Sequence, residues 1–191
     1  MRALNPTLTV VMLIGVLGAC VADPVSSPGA GIAANRVTGG GAVDYAFLAG
    51  VAPIVGPDET MAANGDVLVL SGQGTFSLHP KAVTGGGAFT HRNSAGTVLG
   101  SGTWTATQLL SFNSYGSGSA QGLPPQLEGG QALILVHLAP QSGASGFDAV
   151  LQIDCVLGSP PPAAHEGIRL AVAGVVNFNR EVEGQTVFIR Q

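Results

Sequence analysis

The chain has 191 residues, a formal net charge of −4, and 9% charged residues against 46% hydrophobic ones. Lys81 is its single lysine and Arg is nowhere clustered, so the counterion-displacing surface that nucleic acid or an anionic bilayer demands is missing. With charge far below the roughly 25% of an average globular domain, Ser, Thr, Asn, Gln and Gly must cover the surface, as in secreted β-proteins, and exposed apolar patches are expected.

Residues 1–19 have the layout of an export signal. Arg2 is the only charge, residues 8–17 form an apolar run, and small residues follow. The run is too short for a bilayer-spanning helix, which needs roughly 20 apolar residues. Leu17-Gly18-Ala19-Cys20 resembles the lipobox of bacterial lipoprotein precursors. The resemblance implies cleavage before Cys20 and a diacylglyceryl anchor on its thiol. It also implies an outer-membrane destination in a Gram-negative cell, because Val21 stands where aspartate would retain the protein at the inner membrane. Two or three acyl chains hold a protein on a membrane where one does not. The alternative is ordinary cleavage after Ala22, since Cys20-Val21-Ala22 fits the small-x-small rule, giving a periplasmic or extracellular product. Residues 20–35, rich in Pro, Gly, Ser and Ala, read as a flexible tether, and residues 36–191 as one domain large enough to bury a core.

From residue 36 onward no segment keeps a 3.6-residue apolar period, whereas short β-branched runs separated by Gly, Pro, Asn and Ser recur. Strands are expected over residues 42–49, 66–70, 74–79, 87–92, 97–106, 108–113, 131–138, 147–157, 168–173 and 186–190. Turns are expected at Asn64-Gly65, Asn93-Ser94-Ala95-Gly96, Glu128-Gly129-Gly130 and Glu183-Gly184. This defines an all-β fold: a single antiparallel, Gly-rich β domain of about eight to ten strands, barrel-like, with a two-sheet sandwich as the alternative. Gly-rich strands such as Ser71-Gly72-Gln73-Gly74-Thr75 tolerate the coiling that closure demands. The hexapeptide Val-Thr-Gly-Gly-Gly-Ala stands at residues 37–42 and again at 83–88, where each Gly triplet admits a bend, bulge or close backbone approach at the start of a strand. In residues 149–157, Leu151, Ile153, Cys155 and Leu157 share one face by alternation, which predicts a buried, inert thiol.

Residues 85–91 and 100–107, with Glu166-Gly167-Ile168 and Asn177-Phe178-Asn179, resemble hairpins of secreted bacterial β-domains that carry no assigned activity. The resemblance brings no chemistry with it. From the residues themselves, Phe89 and His91 share a face, as do Gly102, Trp104 and Ala106, and Leu133, Leu135 and His137. His91, Trp104 and His137 are therefore candidate linings of a small-molecule cavity in a barrel mouth. The plainer reading makes Trp104 the main core aromatic and leaves each histidine at a strand end, partly in water. His79, His91, His137 and His165 stand at no metal-ligand spacing, and no Gly-x-Ser-x-Gly elbow occurs between a strand and a helix. No metal, cofactor or catalytic set is assigned. The expected function is a membrane-tethered, envelope-exposed, non-enzymatic β domain that binds an envelope protein or a small apolar ligand. The alternative is an enzyme with His91 or His137 as general base in a barrel cavity.

Overall fold

Alternating burial, the mark of half-buried strands, runs through the computed structural model, which describes residues 43–191. The signal-like segment, Cys20, the tether and the first Val-Thr-Gly-Gly-Gly-Ala copy lie outside the described residues. Ten strands form: β1 (Asp44–Ala49), β2 (Asp58–Ala62), β3 (Val67–Leu78), β4 (Lys81–Arg92), β5 (Val98–Ser117), β6 (Leu127–Pro140), β7 (Phe147–Cys155), β8 (Gly167–Val172), β9 (Val176–Glu183) and β10 (Thr186–Arg190). Among the described residues there is no α-helix, only a single 3₁₀ turn at Gly118–Gln121.

The ten strands belong to one antiparallel sheet in the order β1-β10-β6-β5-β4-β3-β2-β9-β8-β7, and further pairings β6–β7 and β1–β3 close it ring-like. A circuit through β3, β4, β5, β6, β7, β8, β9 and β2 makes the larger lobe. β1 and β10 complete a second, smaller circuit with the far halves of β3 to β6. Among the described residues two separate packed sheets do not form. β3 serves both circuits by changing partner at its glycines: residues 67–70 pair with β2, and Gly72 to Ser77 pair with β1.

The partition into strands differs from the sequence expectation at informative places. The expected strands 66–70 and 74–79 merge into β3, residues 67–78, and 97–106 and 108–113 merge into β5, residues 98–117, because glycine and bulges bend these strands without ending them. Gly85, Gly86 and Gly87 lie in the middle of β4 rather than at a strand start, and their close-approach role holds: a Cβ at Gly85 or Gly87 would collide with the backbone of β3. Glu128-Gly129-Gly130 continues β6 instead of turning. β2 and β9 are strands that the sequence hides, since Asp58-Glu59-Thr60-Met61-Ala62 and the polar run from Asn177 lack β-branched patterning. The turns at Asn64-Gly65 and at residues 93–96 form, with positive φ at Gly65 and Gly96, whereas Glu183-Gly184 joins β9 to β10, strands that do not pair, and keeps only the positive φ at Gly184.

Leu70, Trp104, Ile134, Val136, Leu151, Ile153, Ile168 and Leu170 are fully buried in the core, which also takes in an aromatic group of Tyr45, Phe47, Phe76, Phe112 and Phe188. Cys155 is buried beside Ile153 as its face predicts, and burial, followed by the charge of Glu166, pushes its thiol up to about 12.

A candidate ligand cavity at the mouth of the larger circuit

At one end of the larger circuit the strands stop at turns of residues 93–97, 141–146 and 173–175, and side chains just inside the rim leave a cavity of about 290 Å³. Its walls come from successive strands: Leu68 on β3, Phe89 and His91 on β4, Leu138 on β6, Phe147 on β7, Leu170 on β8 and Phe178 on β9. Leu99, Phe147 and Val175 also line it and are themselves exposed, at 57%, 43% and 64%, so the apolar wall continues onto the surface.

Among the described residues His91 is the one ionisable side chain in the lining. Its Nε2 lies 3.0 Å from Asp66 Oδ2, and its ring meets Phe178 edge-on at 5.4 Å between centroids. A carboxylate accepts hydrogen bonds, so in the neutral imidazole Asp66 places the proton on Nε2 and leaves Nδ1 as an acceptor. Among the described residues no side chain or backbone donor reaches Nδ1, and no Ser, Thr or Cys side chain bonds to His91. Ser101 lines the same cavity, but its hydroxyl donates to Gln141 Oε1 at 3.2 Å. The arrangement orients an acceptor without supplying a nucleophile.

Of the three residues expected to line a common cavity, only His91 does so. Trp104 sits deeper, 1% exposed, with Nε1 donating to the Ser71 carbonyl at 3.0 Å and its ring lying against Gly72, where a Cβ would enter the ring. It is a core aromatic. His137 points out of the sheet and pairs with Asp148 at 2.9 Å. The reason is strand phase: in β6 it is Ala132, Ile134, Val136 and Leu138 that face inward, so Leu133, Leu135 and His137 face outward. In a run that is apolar on both faces, composition does not disclose which face is inside. Asp66, the partner of His91, escaped the sequence reading. Pairing β3 with β4 about His79-Pro80 sets Leu68 opposite His91 and so brings Asp66 within reach, a register visible only once that turn is known.

A second polar group is buried where β2, β7 and β10 meet. Glu166 accepts from the backbone N–H groups of Val156 and Thr186 at 2.8 and 2.7 Å, and Thr186 Oγ1 lies 2.6 Å from the Asp154 carbonyl. Asp58 beside it is wholly buried, and neither carboxyl oxygen has a side-chain partner among the described residues. Burial first, and then the charge of Glu166, push its carboxyl up to about 8. This group ties strand ends together and opens on no apolar cavity. Among the described residues, no three of His, Cys, Asp and Glu gather as a metal site.

The chain matches no family model, and neither the curated proteins nor the solved structures contain a match to it.

Proposed function

We propose that this protein is an exported, membrane-tethered, non-enzymatic β domain that binds a small apolar ligand in the mouth cavity. The observation that carries the binding role is the cavity itself: about 290 Å³, apolar in lining, continuous with exposed Leu99, Phe147 and Val175, and furnished with one oriented polar group. Small-ligand sites have this make-up, mostly apolar walls with a few placed polar atoms, and start at roughly 300 Å³. The tether rests on separate support, the apolar run of residues 8–17 and Leu17-Gly18-Ala19-Cys20.

Titration with N-phenyl-1-naphthylamine, a neutral apolar fluorophore, tests the binding role. Saturable enhancement is expected, weakened tenfold or more by Phe147→Asp and unchanged by His137→Ala. A probe that never saturates, or that ignores Phe147→Asp, would overturn it. For the tether, mass spectrometry of the N-terminal peptide should find an acylated Cys20, and an unmodified chain beginning at Asp23 would remove the anchor.

A further inference from the structure

We infer that the ligand of the mouth cavity is a neutral, largely apolar molecule carrying a hydroxyl group, an alcohol or phenol, whose O–H donates to Nδ1 of His91. The inference rests on the binding role proposed above and goes further by naming the chemistry of the occupant. Three observations carry it. Asp66 Oδ2 lies 3.0 Å from Nε2, so in the neutral imidazole the proton sits on that nitrogen and Nδ1 is an acceptor. No described residue supplies a donor to it: of the two serine hydroxyls in the lining, that of Ser101 donates to Gln141 and that of Ser142 accepts from the backbone N–H of Ala144. Among the described residues no Lys or Arg lines the cavity, so a carboxylate or phosphate would be desolvated without a cationic partner there.

A ligand with no donor would bury the Nδ1 lone pair unpaired, and a site built around a polar atom rejects the analogue that lacks its complement. The remaining walls, Leu68, Phe89, Leu138, Leu170 and Phe178, ask only for apolar surface. The volume suits a body of one or two fused rings or a short branched chain.

The test is equilibrium dialysis of the full chain at neutral pH against three probes of one shape: 1-naphthol, 1-methoxynaphthalene and 1-naphthoate. Naphthol should bind roughly five- to tenfold tighter than its methyl ether, the worth of one hydrogen bond, and naphthoate should be the weakest. His91→Phe should level naphthol with the ether, and His91→Gln, which keeps an acceptor oxygen, should restore part of the difference. Equal binding of naphthol and ether, or preference for naphthoate, would overturn the hydroxyl inference while leaving the cavity as the site. Failure of all three probes to bind would overturn the cavity reading and this inference with it. The order of the probes on the unaltered protein decides the matter even where a His91 variant does not fold.

Discussion

Single residues in this domain are held by contact between glycine and aromatic rings. Gly72 gives up its side chain to the face of Trp104, and Gly74 does the same for Phe47. Overpacking of this kind typically costs about 1–3 kcal/mol because neither backbone nor ring has room to retreat. Gly72→Ala is therefore expected to lower stability by about 2–3 kcal/mol in urea unfolding. In a Trp104→Phe background the added methyl meets a smaller ring, so its cost should fall by about 1 kcal/mol or more, even though the nearby Gly86 carbonyl still crowds it. Additive costs in the double variant would mean that Trp104 is not what confines position 72. The Gly-rich segments were legible in sequence as places of close approach, but the ring that approaches each of them was not, since Trp104 and Gly72 lie on strands separated by the whole of β4.

Among the elements, β2 is the least obvious and the most conditional. Asp58, its first residue, is buried without a side-chain partner, next to Glu166, and its carboxyl is pushed up to about 8 from an ordinary 3.8. The folded state thus holds this proton more tightly than the unfolded chain. Between about pH 4 and pH 8 the native protein binds more protons at this site, so stability from Asp58 is complete below pH 4 and is lost as pH rises toward 8, by about 1.4 kcal/mol per pH unit at most. Asp58→Asn removes the titration. Near pH 4 the variant should match the parent or fall slightly below it, and at pH 8 it should be more stable by several kcal/mol in urea unfolding. Parallel pH profiles for the two proteins would show that Asp58 ionises in the fold without penalty. No sequence pattern announces this strand, because a run beginning Asp-Glu-Thr reads as loop until β3 and β9 flank it.

Across the whole molecule, β3, β4, β5 and β6 run through both circuits, so neither circuit has a set of strands of its own large enough to stand alone. The core is likewise one connected cluster from Tyr45 and Phe188 to Val172 and Phe178. Heat or urea should therefore unfold residues 43–191 in one transition, with calorimetric and van't Hoff enthalpies in agreement. Two resolved transitions, one of them reported by Tyr45 and its aromatic neighbours, would show that the smaller lobe opens independently. The same connectivity makes the mouth cavity a property of the assembled circuit, for its walls come from β3, β4, β5, β6, β7, β8 and β9 and no hairpin carries the site alone.

Local chemistry was enough to determine the all-β class, the turns at Asn64-Gly65 and at residues 93–96, the burial of Cys155 and the candidacy of His91. Each of these depends on alternation, on positive φ or on neighbours two residues away, and those are properties of a short stretch of chain. The tertiary structure alone decided that β3 changes partner at Gly72, that His137 faces outward while Leu138 faces in, that Trp104 is core rather than cavity, and that Asp66 meets His91. These depend on register and on which face of a doubly apolar strand the closure turns inward. A shift of one residue reverses every side chain on such a strand, and only the partner strands, distant in sequence, remove that ambiguity.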